Sequence, residues 1–75
     1  MSILYNLNIN KTARISELAN SYDSVSRLSE MGIIPGAEVR IVKKNPFGGP
    51  IQLKLNNSYI AIRKEDAQMI KINSE

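Results

Sequence analysis

The stretch from Ile51 to Ile62 constrains the fold more than any other part of the chain. Ile51-Gln52-Leu53-Lys54-Leu55 alternates apolar and polar residues without a fault. Ser58-Tyr59-Ile60-Ala61-Ile62-Arg63 then alternates again, with Ile60 and Ile62 on one face. Strict alternation is the period of a half-buried strand. Between the two runs, Asn56-Asn57 predicts a two-residue hairpin turn of type I′, because asparagine tolerates φ > 0 at both positions. Such a hairpin commits the chain to an antiparallel sheet.

The remaining punctuation supplies the partners. Ala37-Glu38-Val39-Arg40-Ile41-Val42-Lys43 alternates with Ala37, Val39 and Ile41 on one face. Residues 13–18 read as a first short strand with imperfect alternation. Residues 68–72 read as a last strand carrying Ile70 and Ile72 inward, with a frayed terminus after it. Leu4 and Leu7 are isolated apolar anchors in a polar lead-in. Residues 20–24 form a turn cluster with Asp23 and Ser24 as N-cap candidates. Val25, Leu28 and Met31 follow at a spacing of three, the stripe of a short helix. Gly32 stops that helix, and a Schellman ending would bring Leu28 against Ile33. Pro35-Gly36 signals a type II turn. Asn45-Pro46-Phe47-Gly48-Gly49-Pro50 is a loop, and Lys64-Glu65-Asp66-Ala67 a tight helical turn.

These elements predict an all-β domain of about five short strands with one short inserted helix, a single unit over residues 1–75. Too few residues remain to cover a flat sheet with helices, so the sheet must curl into a small barrel. The 75 residues contain no cysteine and no histidine, which excludes disulfides and any zinc site built on Cys or His. Stability must come from packing, and 43% hydrophobic residues are enough for that. The N-terminus lacks a secretory pattern, no apolar run approaches a membrane span, and two N-x-S/T matches are chance, so a cytoplasmic location is expected.

Covalent chemistry finds little support. The serines at 16, 21, 24, 26, 29, 58 and 74 fall where turns, caps and solvation account for them, so no catalytic residue is expected. Glu65-Asp66 is the one adjacent acidic pair. Neighbours in a turn usually diverge to solvent, so no metal site and no cofactor are expected. The Gly-Gly loop lacks the Lys-Ser/Thr ending and following helix of a phosphate loop. A net charge of +3 invites a nucleic-acid reading. The charges read as scattered, with Lys43-Lys44 and Arg63-Lys64 the only adjacent basic pairs, and aromatic residues are few. Phe47, between Pro and Gly-Gly, is either tucked over a barrel end or offered to a partner, and tucking is the favoured reading.

The run Arg27-Leu28-Ser29-Glu30-Met31-Gly32-Ile33-Ile34-Pro35-Gly36-Ala37-Glu38-Val39 resembles the signature of the ferrous-iron transport protein A (FeoA) family. Asn45-Pro46-Phe47-Gly48-Gly49-Pro50-Ile51 looks like its Gly-Gly-Pro loop, and Ile60-Ala61-Ile62-Arg63-Lys64-Glu65-Asp66-Ala67 like its third box. Leu4-x-x-Leu7 and Ala13-Arg14-Ile15 match the family opening. The family has glycine about where Asn10 stands, and asparagine is the commonest substitute in the left-handed region. The resemblance runs from about Leu4 to Ile72. It implies an SH3-like barrel and a cytoplasmic protein that assists the membrane ferrous-iron transporter FeoB, a permease with a GTP-binding domain.

On that reading the partner is FeoB at its cytoplasmic face, with no nucleic acid and no membrane insertion. The expected contact surface is Arg27, Leu28, Met31, Ile34 and Pro35, followed by the Pro46–Phe47 loop. Arg27 is either a probe of a nucleotide site or, the favoured reading, a solvated helix arginine. The alternating surface of 37–43 also allows weak self-association edge to edge. Two rivals are an SH3-like domain of an iron-dependent repressor, disfavoured by the Met1 start, and a basic nucleic-acid-binding module.

Overall fold

The hairpin forms in the expected register, Ile51 opposite Ile62 through Leu55 opposite Ser58. Its turn differs from expectation. Asn56 has φ 56°, but Asn57 does not join it at positive φ, as type I′ would require. The structure is a computed structural model that describes residues 2–18 and 22–74. In chain order the elements are β1 (Ser2–Ile3), a 3-10 turn (Leu4–Asn6), β2 (Thr12–Leu18), α1 (Tyr22–Glu30), β3 (Glu38–Lys43), β4 (Ile51–Leu55), β5 (Ser58–Ile62), α2 (Lys64–Gln68) and β6 (Ile70–Ser74).

All six strands belong to one antiparallel sheet in the order β1-β6-β2-β3-β4-β5. β1 is too short to show a period in the sequence. The imperfect alternation of β2 has a physical cause. A register shift between Ile15 and Glu17 marks a bulge, so Ala13 and Ile15 face the core and the next apolar residue is Leu18. The terminus is not frayed at 73 and 74, since Asn73 and Ser74 pair with Arg14 and Ala13. β3 lies between β2 and β4, which removes 37–43 as an edge for self-association.

The curled sheet encloses Ile15, Val39, Ile41, Ile51, Leu53, Leu55, Ile62, Ile70 and Ile72, all buried. Leu4 from the 3-10 turn and Ala67 from α2 are wholly buried with them, as are Leu28 and Ile33 from the end of α1. The two short helical segments therefore act as plugs, each contributing a side chain to a core the sheet cannot close alone. α1 begins at Tyr22, so Asp23 and Ser24 lie inside its first turn rather than at its cap. Position 21 lies outside the described residues.

The helix end is built as the sequence predicts. Gly32 has φ +92°, its N–H donates to Ser29 O at 2.9 Å, and the N–H of Ile33 donates to Leu28 O at 3.0 Å. Those are the two bonds of a Schellman ending. The type II turn follows, with Gly36 at φ +91° and the Ala37 N–H donating to Ile34 O at 3.1 Å. Asn10 does take the left-handed conformation, at φ 69°.

Candidate partner-binding surfaces

Four exposed large apolar side chains stand out: Ile9, Ile34, Phe47 and Tyr59. Three of them, Ile9, Ile34 and Phe47, sit on turns that the chain orders with its own hydrogen bonds. Ile34 is the first residue of the type II turn and is 47% exposed, next to exposed Pro35 and half-buried Met31. Leu28, by contrast, is wholly buried. It belongs to the core, because the Schellman ending folds it beneath Ile33, and it leaves the expected contact surface.

Phe47 is 95% exposed, which overturns the tucked reading. The physical reason is the loop around it. Asn45 accepts the Phe47 N–H on its side-chain oxygen at 2.9 Å, and its backbone oxygen accepts the Gly48 N–H at 3.2 Å. With Pro46 second and Gly48 fourth, this is a turn whose third side chain points away from the chain. Gly48 continues at φ +81°. At Gly49 a Cβ would overlap the Asn45 side chain, so any larger residue there requires Asn45 to move.

Ile34–Pro35 and Pro46–Phe47 lie beyond opposite ends of β3. The first pair precedes β3 and the second follows it, and six strand residues of roughly 3.3 Å each separate them. The sequence expects contact at both, and they stand at the two ends of a strand whose six residues span roughly 20 Å.

Arg27 stays partly solvated on its helix, as the favoured reading has it, but it is tied to a distant carboxylate. Its Nη1 and Nη2 donate to Asp66 Oδ2 and Oδ1 at 3.1 and 2.9 Å, a bidentate pair. The Arg27 side chain is 41% exposed and that of Asp66 only 3%. Asp66 also accepts the Arg63 N–H at 3.3 Å. The hydrogen bonds from Arg27 are the leading reason the Asp66 carboxyl titrates below its ordinary value, against the opposing effect of burial. Asp66 therefore does not diverge to solvent beside Glu65. It ties α2 to α1, and the pair supports the helix end that carries Ile34. Among the described residues no cluster of acidic side chains is placed to hold a metal.

The loop is flanked by cations. Lys44 Nζ donates to Tyr5 O at 2.8 Å and lies 5.6 Å from the Tyr5 ring centre, with Lys64 Nζ 5.7 Å from the same ring. Lys64 also passes beside Gly48. The charges are not scattered, contrary to the first reading. Residues 39–64 hold six basic side chains and no acidic one, and the rest of the chain holds four basic and seven acidic. β3, β4 and β5 are neighbours in the sheet, so the basic block is spatial as well as sequential.

A curled antiparallel sheet with exposed apolar side chains on ordered turns is the architecture of a small SH3-like domain. A Stenotrophomonas maltophilia FeoA complexed with zinc, described as a prokaryotic SH3 domain protein, superposes with TM-score 0.82 at 26% identity, over 97% of this chain and 91% of that one. The chain belongs to the FeoA domain family, whose model matches residues 3–74. It is 36% identical to iron(II) transport protein A from Clostridium thermocellum (TM-score 0.90), covering 97% of this chain and 45% of that one. A manganese-dependent transcriptional repressor matches at TM-score 0.90 and 16% identity, over 99% of this chain and 41% of the repressor, a likeness of fold alone. No curated protein matches. No helix among the described residues is long and apolar enough to cross a membrane.

Proposed function

We propose that this chain is a cytoplasmic accessory protein of ferrous-iron uptake that docks on the cytoplasmic part of the transporter FeoB and modulates its assembly or nucleotide cycle. Family membership supplies the system. The observation that carries docking is Phe47, 95% exposed on a turn fixed by Asn45. An aromatic side chain held in water by an ordered loop loses little conformational freedom on binding, which is the property of an interface anchor. Ile34 on its own ordered turn, beyond the other end of β3, is a second anchor. The domain acts by binding, with no covalent step of its own.

A pull-down against purified full-length transporter, at moderate salt with and without a GTP analogue, tests this. Saturable binding that Phe47→Ala weakens roughly tenfold supports docking through the loop. The same loss from Ile34→Asp adds the helix-end turn to the surface. No binding in any nucleotide state, with the fold intact by circular dichroism, removes direct docking.

A further inference from the structure

The free edge of β5 is unusual in how little protects it. β5 ends the sheet order and pairs only with β4 among the described residues. Natural edges are guarded by charges, prolines, bulges or shortness. Ser58–Ile62 contains no charged residue and no proline, and its pairing with β4 runs through all five residues without a register shift. The opposite edge, β1, is only two residues long.

The register fixes which groups face outward. Leu55 and Ser58 close the two-residue turn, so they form a hydrogen-bonded pair, as do Leu53 with Ile60 and Ile51 with Ile62. The backbone N–H and C=O of Tyr59 and Ala61 therefore point away from β4. Their side chains are exposed as well. A groove of about 480 Å³ bounded by Lys43, Pro46, Phe47, Pro50 and Gln52 opens onto Ala61. A shallower one of about 200 Å³ shares Gln52 and Ala61 and continues to Tyr59.

Charge identifies the occupant. Lys43 stands on the groove wall, Lys54 lies opposite Tyr59, and Arg40 lies opposite Lys54 on the next strand. None of the three has a carboxylate partner among the described residues, and the buried Nε of Arg40 has no acceptor. We propose that the β5 edge and the groove leading from Phe47 receive an extended, acidic segment of a partner protein carrying aliphatic side chains, added to the sheet as a seventh strand. Its backbone pairs with Tyr59 and Ala61, its aliphatic side chains enter the groove between Phe47 and Ala61, and its carboxylates meet Lys43 and Lys54. A nucleic acid fits less well. It cannot continue a backbone ladder, and the face offers only Phe47 and Tyr59 for stacking.

The inference goes beyond docking on FeoB, because it holds whichever protein carries the segment. The test is an amide NMR titration of the full chain with a capped decapeptide in which glutamate and valine take turns at every second position with serine between, so that both face one side of a strand, repeated with its lysine–valine counterpart and a uridine decanucleotide. The glutamate peptide is expected to shift and protect the Tyr59 and Ala61 amides, and the lysine peptide to leave them unmoved. Lys43→Glu should weaken the effect roughly fivefold. Ala61→Pro should abolish it, since proline removes an outward donor that the β4 ladder does not use. If that variant misfolds, Lys43→Glu still decides the matter. Equal response to both peptides, stronger protection by the oligonucleotide, or no change at Tyr59 and Ala61 overturns the proposal. In the transporter pull-down, unimpaired binding by Lys43→Glu and Ala61→Pro would exclude this edge while leaving the docking reading in place. Capture of the glutamate peptide by a chain that ignores the transporter would do the reverse.

Discussion

At the residue scale, Asp66 is 2% exposed and still charged because Arg27 reaches it with two hydrogen bonds. Burial alone would raise a carboxyl pKa; here hydrogen bonding and charge outweigh burial and lower it. A carboxyl whose folded pKa is depressed contributes stability that is whole above its unfolded value, near 3.8, and is lost as pH falls through the folded value. Asp66→Ala is therefore expected to cost about 2 kcal/mol at neutral pH. In a domain of this size that is a fall in Tm of roughly 10 °C. Asp66→Asn keeps the shape but not the charge. Its deficit in urea midpoint relative to the native chain should shrink steadily as pH drops below about 4. A constant deficit from pH 7 to pH 2 would show that the carboxylate charge is not what holds α1 to α2.

At the element scale, some turns were legible in the sequence and others, such as Asn56-Asn57, were not. Gly32, Pro35-Gly36 and Asn10 each carry a local steric reason for their conformation, and each adopts it. The strands from Glu38 to Ile62 were legible too, because one buried face imposes a period of two. What was not legible depends on residues far apart in the chain. Arg27 and Asp66 are separated by 39 positions, and no spacing rule brings them together. The exposure of Phe47 rests on a hydrogen bond that its own N–H donates to the Asn45 side-chain oxygen, which composition cannot reveal. Leu28 reads equally as stripe or surface until the Schellman ending folds over it. These turns make separable predictions. Gly32→Ala forces a Cβ to 3.1 Å from Leu55 Cδ2 at positive φ, and should cost roughly 1–2 kcal/mol in a thermal melt. Gly49→Ala displaces Asn45 at an exposed loop, so Tm should move by no more than about 0.5 kcal/mol equivalent while the amide signals of residues 45–48 shift. Transporter binding should fall with the second change, and global stability with the first.

At the scale of the whole molecule, net charge misleads. The body measures 28 × 26 × 24 Å, about three Debye lengths at physiological salt. A partner approaching β3, β4 and β5 therefore meets mainly the field of the basic block, with Glu38 at the start of β3 as the acidic side chain on that face and the more distant acids largely screened. Arg40 and Lys54 sit directly opposite each other on adjacent strands, an arrangement that destabilises a sheet. A surface selected for stability alone would place opposite charges there. Lys54→Glu creates such a pair, and is expected to raise stability by about 0.5 kcal/mol, a Tm gain of a few degrees. The same change should weaken the acidic decapeptide several-fold and flatten the salt dependence of its binding. Thermal melts and peptide titrations at 50 and 300 mM salt (each roughly a doubling or more away from 0.15 M) read both effects on one protein. A gain in stability together with a loss of binding would mean that the like-charged pair is kept for its partner. A gain in stability with binding unchanged would leave the basic face without a role in recognition.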